Sequence, residues 1–102
     1  MIVHMVLMRV RRNVQMMEVQ RAFAALAGLQ RQVPGILGFS CGPNNSPEGL
    51  ERTFTHGFTM GFKDAPARDA FLRHPETHRV RGLLLSVLEG GVDGLLVFDY
   101  AG

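Results

Sequence analysis

Three histidines, His4, His56 and His78, are the side chains of this sequence best suited to chemistry. Imidazole titrates near neutral pH, so a positioned histidine can remove or return a proton without a cofactor. His56 lies in a segment where bulky and small residues alternate, and His4 lies in an apolar segment near the start of the chain. If these segments are neighbouring strands, the two rings come within reach of each other, and His78 at the start of a helix completes the group. The three are therefore the candidate catalytic residues, for removing a proton beside a carbonyl and stabilising the resulting oxyanion.

The same histidines have a plainer interpretation as core residues, each hydrogen-bonded to a backbone carbonyl or to water. A metal site is not expected, because no acid or cysteine is placed to join them and no His-x-x-x-His pair falls on one helix. Cys41 has no activating base in the sequence and is expected to be inert. Gly90, Gly91 and Gly94 follow a helix and precede a strand, whereas phosphate loops run from strand to helix. No cofactor is expected.

The elements that would position these histidines follow from the spacing of apolar residues. Strands are predicted at residues 2–10, 36–41, 54–63 and 92–100, and helices at 15–31, 64–73 and 76–88. The pair His74-Pro75 separates the last two helices, because the residue before a proline disfavours helical geometry. The order β-α-β-β-α-β is the ferredoxin-like unit. We therefore expect an α+β fold with one four-stranded antiparallel sheet, the helices on one face, and the first and third strands in the middle.

Four bulky apolar residues are the candidate walls of a pocket for a small apolar ligand: Phe23, Leu26, Phe58 and Phe71. They fall on the first helix, the third strand and the second helix, on faces that also form the core. Ligand pockets are mostly apolar with few polar groups, so these residues fit a packed core and a pocket equally well.

The first and last strands predict a homodimer. Helices cover only one face of such a sheet, yet both faces of the first strand are apolar, with Val3, Met5 and Leu7 on one of them. The last strand likewise offers Leu96, Phe98 and Tyr100 on a single face. An apolar side chain left in water forgoes about 1.5–3 kcal/mol, and a contiguous patch of them marks an interface. The simplest partner is a second copy packed sheet against sheet about a two-fold axis.

Composition narrows the function classes further. The chain has 102 residues, which fits one domain spanning residues 1–102. Its net charge is +2, and its arginines are scattered among acids, so neither nucleic acid nor membrane is an expected partner. The apolar start is followed, not preceded, by arginines, unlike a signal peptide. The lone Cys41 fits a reducing compartment, so we expect a cytoplasmic protein.

Several short segments keep a recognisable order and spacing: Ile2-Val3-His4-Met5-Val6-Leu7, Val33-Pro34-Gly35-Ile36, Gly42-Pro43-Asn44, Ser46-Pro47-Glu48-Gly49, Thr55-His56-Gly57-Phe58, Phe62-Lys63-Asp64, His74-Pro75 with His78, and Gly91-Val92-Asp93-Gly94-Leu95-Leu96-Val97-Phe98-Asp99-Tyr100. Through them the chain resembles the stress-responsive dimeric α/β barrel family along nearly its whole length. The resemblance implies the ferredoxin-like fold argued above, with the sheets of two subunits packed together as a barrel.

The resemblance also implies a chemical precedent. A plant polyketide cyclase of this family closes a ring by an aldol-type reaction without a cofactor, and histidines matching the three candidates line its pocket. Two tyrosines line it as well, and this chain has Leu26 and Phe71 at the matching positions. The usual His-Pro-x-His spacing is also one residue longer here, as His74-Pro75-Glu76-Thr77-His78.

Three kinds of function remain open. The first is a module that binds a small aromatic or polyketide-like molecule. The second is a cofactor-free enzyme that uses pocket histidines, either an aldol-type cyclase or, by analogy of fold alone, a small monooxygenase. The third is a structural, stress-related dimer without a ligand. An open pocket beside the histidines favours the first two, and a closed apolar core favours the third.

Overall fold

Strands and helices follow one another in the predicted order. The computed structural model describes residues 1–102. The strands are β1 (Ile2–Met8), β2 (Ile36–Pro43), β3 (His56–Phe62) and β4 (Leu95–Ala101), and the helices are α1 (Met16–Gln32), α2 (Ala65–Arg73) and α3 (Pro75–Ser86). A short 3-10 helix, Gly91–Gly94, leads into β4. None of the helices has the length and apolar character needed to cross a membrane.

The strands form one antiparallel sheet in the order β2-β3-β1-β4, which confirms the predicted ferredoxin-like topology. Within it, His4 of β1 lies opposite Met60 of β3 and Asp99 of β4, and Met8 lies opposite His56. Residues directly opposite one another in antiparallel strands share a face. His4, His56 and Asp99 therefore all lie on one face, and the full burial of Met8 and Met60 shows that the helices cover it.

Apolar stripes and capping residues position the helices. Helix α1 buries four residues at helical spacing: Val19, Ala22, Leu26 and Leu29. Asp64 caps α2 by accepting a hydrogen bond from the backbone N–H of Ala67 at 2.9 Å. His74 has extended backbone geometry before Pro75, and its Nδ1 accepts a hydrogen bond from the Glu76 N–H at 3.1 Å. The residue that separates the two helices is thus also the N-cap of α3.

Several predicted boundaries were wrong, and local contacts explain why. Strand β3 begins at His56, because Arg52 and Thr53 before it have left-handed φ angles of 53° and 71°, and Phe54 packs its ring 4.7 Å from the Arg9 guanidinium carbon. Strand β1 ends at Met8, since Val10 makes only an isolated bridge.

The other elements differ in the same way. Strand β4 begins only at Leu95, because Val92 belongs to the 3-10 helix. Helix α3 ends at Ser86, two residues earlier than predicted, and Leu83 of its predicted apolar stripe is 43% exposed. Strand β2 runs on to Pro43.

The sheet face away from the helices is apolar, as predicted. It presents Val3, Met5 and Leu7 of β1 together with Leu96, Phe98 and Tyr100 of β4. Phe98 is 62% exposed and Leu96 is 49% exposed, although both are large apolar residues. This uncovered face needs a partner that helices of the same chain do not supply.

Candidate functional site

His4 occupies the middle of the sheet, beneath the helices. The residue is 5% exposed, and three aromatic rings surround its imidazole. The ring centroids of Phe58, Phe62 and Phe71 lie 6.1, 6.2 and 5.9 Å from that of His4. Strand β1 fixes the backbone and these three rings confine the side chain, so the imidazole has little freedom to reorient.

A chain of polar contacts holds the imidazole from the β4 side. Nδ1 of His4 lies 2.7 Å from Oδ1 of Asp99, its cross-strand neighbour. The second carboxylate oxygen of Asp99 accepts a hydrogen bond of 2.9 Å from Arg68, whose Nε donates to Asp69 at 2.8 Å. These hydrogen bonds to Asp69 and Asp99 raise the pKa of Arg68 above its usual value.

This arrangement decides which imidazole nitrogen carries the proton. A carboxylate bound to Arg68 can only accept hydrogen bonds, so Nδ1 of His4 must be the donor to Asp99. The neutral ring then has a free lone pair on Nε2, which makes no hydrogen bond within the chain. A histidine held by a carboxylate on one nitrogen and free on the other is the arrangement of a general base.

A small cavity of about 120 Å³ opens beside His4. Its walls are mostly apolar and come from β1, α1, β3, α2, α3 and β4: Val6, Leu26, Leu29, Phe58, Phe71, Leu72, Leu84, Leu95 and Val97. Three residues with polar groups complete the lining, His4, Thr77 and Arg81. An apolar cavity with a few polar groups is the usual form of a small-molecule site.

Thr77 occupies the position in the cavity wall where the sequence pattern suggested a histidine. Its Oγ1 is buried and has no hydrogen-bond partner within the chain, which is uncommon in folded proteins. His78, the next residue, is exposed and is not part of the cavity lining. The longer spacing after Pro75 therefore turns His78 outward and Thr77 inward, and the expectation that His78 joins the group is wrong.

His56 shares the face of His4 but lies at the other end of the strand pair. It pairs with Met8, four residues from His4, which places the two histidines about 13 Å apart along the strands. Its ring packs on Phe23 at 5.7 Å, and its Nδ1 lies 2.8 Å from the hydroxyl of Thr55. Burial lowers the pKa of His56. The shared face was predicted correctly, but the expectation that the two imidazoles lie within reach of each other is wrong.

A larger cavity, of about 940 Å³, lies at the end of the molecule near the start of β3. It is an open cleft whose lining residues are mostly polar, and they include Arg9, Arg11 and Arg12. Two of these arginines already make hydrogen bonds within the chain: Arg9 donates to Thr53 at 2.7 Å, and Arg11 donates to the Ser86 carbonyl at 2.9 Å. The smaller cavity beside His4 is the stronger candidate, because it combines mostly apolar walls with a free imidazole nitrogen.

A family model described as the stress responsive A/B barrel domain matches residues 2–101. The chain belongs to this family.

Solved structures agree with this membership in the stress-responsive barrel family. A dimeric ferredoxin-like protein of unknown function from Jannaschia sp. CCS1 is 33% identical, with 99% of this chain and 98% of that chain covered and a TM-score of 0.89. A protein from Arabidopsis thaliana is 24% identical over 100% of this chain and 95% of that chain, with a TM-score of 0.91. The hydroxynitrile lyase from Passiflora edulis is 19% identical over 97% of this chain and 90% of that chain, with a TM-score of 0.86. At these identities the last two show the fold alone. Comparison with curated proteins gave no match.

Within this barrel domain the structure brings together only part of the predicted site. Leu26, Phe58 and Phe71 line the cavity beside His4, and their role in binding a ligand remains a prediction. Phe23 is not in the cavity wall, because it packs against His56 at the other end of the sheet.

The sequence interpretation missed Asp99, Arg68, Thr77 and Arg81. One of them left a signal, since Asp99 is an acid on the helix-covered face of an otherwise apolar strand. The others depend on how α2 and α3 turn, which residue spacing alone does not specify.

Proposed function

We propose that this protein is a cofactor-free acid–base enzyme that takes one small, largely apolar molecule into the cavity and removes a proton from it with His4. The observation that carries the proposal is the pairing of His4 Nδ1 with Asp99 at 2.7 Å, which leaves Nε2 free beside the cavity. A pure binding module has no need of an imidazole held on one side and free on the other. A purely structural core has no need of the cavity.

The chemistry begins with a proton on carbon beside a carbonyl. Nε2 of His4 takes that proton, the electrons of the C–H bond form the double bond of an enolate, and the carbonyl oxygen gains the negative charge. Asp99 stabilises the imidazolium that forms, since the carboxylate already accepts a hydrogen bond from the Nδ1–H group. The hydroxyl of Thr77 is buried and has no partner in the chain, and rotation of this side chain would let it donate to the oxyanion. Return of the proton to carbon or oxygen regenerates the neutral imidazole.

The size of the cavity restricts the substrate. An engineered protein cavity of about 150 Å³ accepts benzene, so a cavity of about 120 Å³ suits one ring or a short carbonyl compound. Aldol-type ring closure starts with the same proton removal. Leu26 and Phe71 in the cavity wall carry no hydroxyl, so Thr77 is the one lining residue that has one. A hydroxynitrile lyase with the same fold supports an enzymatic use of this scaffold.

We also propose that the chain acts as a homodimer, with residues 1–102 serving as one domain of a two-subunit barrel. The uncovered apolar face of β1 and β4 supports this assembly, and related structures are described as dimeric ferredoxin-like proteins. Packing the two faces together removes their apolar side chains from water.

A reducing compartment such as the cytoplasm suits the exposed free thiol of Cys41.

The enzymatic proposal is tested by exchange of the α-protons of cyclohexanone for deuterium, followed by NMR in heavy water. The wild-type protein is expected to accelerate the exchange, and His4→Gln to reduce that acceleration by about 10²–10⁴-fold. His78→Gln changes an exposed histidine and is the matched control, with unchanged exchange. Equal rates for His4→Gln and the wild type would remove His4 from the chemistry. If no single-ring carbonyl compound binds or exchanges, the structural dimer is the better account.

A further inference from the structure

We infer that the cavity selects a small monocarboxylic acid, with Arg81 binding its carboxylate at the rim. The inference rests on the proposed function, because it takes the cavity beside His4 as the ligand site. It adds a specificity-determining residue and a class of ligand that proton transfer by His4 does not require.

Thr77 and Arg81 act on the cavity from one side. They are four residues apart on α3, so they lie one above the other on a single helix face, and both line the cavity. Thr77 is buried and Arg81 is exposed. The helix thus presents a neutral hydroxyl at depth and a positive charge at the opening, with apolar walls between and around them.

The guanidinium group of Arg81 has no partner within the chain. Arg79 on the same helix binds Glu76 at 2.7 Å, and Arg68 binds Asp69 and Asp99. Arg81 makes neither an ion pair nor a side-chain hydrogen bond within the chain, in contrast to these two. An arginine of this kind, at the opening of an apolar cavity, offers the planar pair of donors that a carboxylate accepts.

The positions of Arg81 at the rim and Thr77 in the interior predict which groups the ligand carries and where they lie. Its carboxylate stays at the rim beside Arg81, where it keeps part of its hydration and avoids the cost of burying an unpaired charge. Its apolar body, of about one ring, fills the interior of about 120 Å³. A carbonyl or hydroxyl oxygen on that body would pair with the partnerless Thr77 hydroxyl once the Thr77 side chain rotates toward the cavity that His4 also lines. The structure points to a keto acid or hydroxy acid with a short, largely apolar body.

Benzoate and its neutral analogue benzamide separate the contribution of charge from that of shape. Calorimetric titration of the wild-type protein should show benzoate binding about tenfold or more tightly than benzamide, since hydrogen bonds between charged groups are the stronger ones. Arg81→Gln should abolish that preference, and Arg81→Lys should retain part of it. Arg79→Gln removes a neighbouring arginine outside the cavity lining and should keep the full preference. Amide NMR shifts at Thr77 and Phe71 report whether benzoate occupies this cavity.

The inference is overturned if benzamide binds as tightly as benzoate, if Arg81→Gln keeps the preference, or if benzoate shifts only amides of the Arg9–Arg12 cleft. Failure of the proposed function looks different. In that case benzoate binds in an Arg81-dependent manner, while His4→Gln leaves the exchange of cyclohexanone unchanged. Conversely, His4-dependent exchange without any preference for benzoate leaves the proposed function standing and removes only the role of Arg81.

Discussion

At the scale of single residues, the site depends on which nitrogen of His4 carries its proton. Asp99 determines this because both of its oxygens accept hydrogen bonds, one from His4 and one from Arg68. The side chain of Asp99 is 19% exposed and that of Arg68 is 22% exposed, so the pair is partly shielded from water. The proposed function therefore depends on Asp99 as well as on His4.

Asp99→Asn tests this dependence without changing the shape of the side chain. The amide can donate to Nδ1, which moves the imidazole proton to Nε2 and removes the free lone pair. We expect a loss of about 10²–10⁴-fold in proton exchange with little change in folding, as measured by exchange rates and thermal melting. Asp69→Asn alters the other acid bound to Arg68 and should leave most of the rate. Equal rates for the two variants would argue against the assignment.

The second buried-face histidine, His56, should affect stability instead of catalysis. Burial lowers its pKa below the ordinary value of 6.5, so the folded state binds a proton less readily than the unfolded state. Where the unfolded state binds more protons, stability rises with pH. Stability should therefore fall as the pH drops through about 6.5 and below. Urea unfolding at several pH values should show a flatter profile for His56→Gln than for the wild type, with His78→Gln as control. An unchanged profile would contradict this interpretation.

At the scale of elements, the start of α3 decides which side chain faces the cavity. His74 caps this helix, so Pro75 is its first residue and Thr77 its third. Successive residues in a helix are rotated by about 100°, and His78 therefore leaves the face that Thr77 occupies. The sequence predicted the break at His74-Pro75 correctly. The inward residue was not predictable, because it depends on how α3 docks on α1 and the sheet.

The junction between α3 and β4 depends on a glycine at a crowded position. Gly94 is buried, and a Cβ atom added there would lie 2.6 Å from the Glu89 carbonyl oxygen and 3.2 Å from Cβ of Leu88. Gly94→Ala should lower the free energy of unfolding by about 1–3 kcal/mol, because packed backbone must shift. Gly82→Ala, at an exposed position of α3 with open space around it, should raise it by about 0.5–1 kcal/mol. Chemical denaturation of both variants checks the pair. A Gly94→Ala protein as stable as Gly82→Ala would contradict the packing described.

Sheet patterning was the more predictable part of the molecule. Alternation in β3 correctly placed Phe58, Met60 and Phe62 on the covered face with His56, because strand geometry is local. The separation of His4 from His56 depends on strand register, which a sequence without a tight hairpin between β1 and β3 does not fix. Asp99 became part of the site for the same reason, through its register opposite His4.

At the scale of the whole molecule, one apolar sheet face has no cover within the chain. Phe98 and Tyr100 are 62% and 48% exposed there, beside Leu7 and Leu96. The helices cover only the sheet face that holds His4 and the cavity. A second copy would cover the uncovered face, whereas the cavity lies on the helix-covered side, so assembly and ligand binding would use opposite sides of the sheet.

Two leucines of similar exposure test the proposed dimer. Leu7 is 38% exposed on the uncovered face, and Leu83 is 43% exposed on α3. Light scattering at micromolar concentration should give twice the chain mass for the wild type and for Leu83→Asp. Leu7→Asp should give monomer or unfolded chain, because an unpaired charge in an interface costs several kcal/mol. A stable wild-type monomer, or a dimeric Leu7→Asp, would contradict the sheet-to-sheet assembly.

The most direct test of the central claim is the protonation of the His4 ring itself. Long-range proton–nitrogen NMR correlation distinguishes the two nitrogens of each imidazole, and His4→Gln assigns the His4 signals. At a pH where the ring is neutral, we expect the proton on Nδ1 and a free lone pair on Nε2, with Nε2 shifting when benzoate or cyclohexanone is added. A His4 ring protonated on Nε2, with nitrogen signals that neither compound changes, would contradict the account.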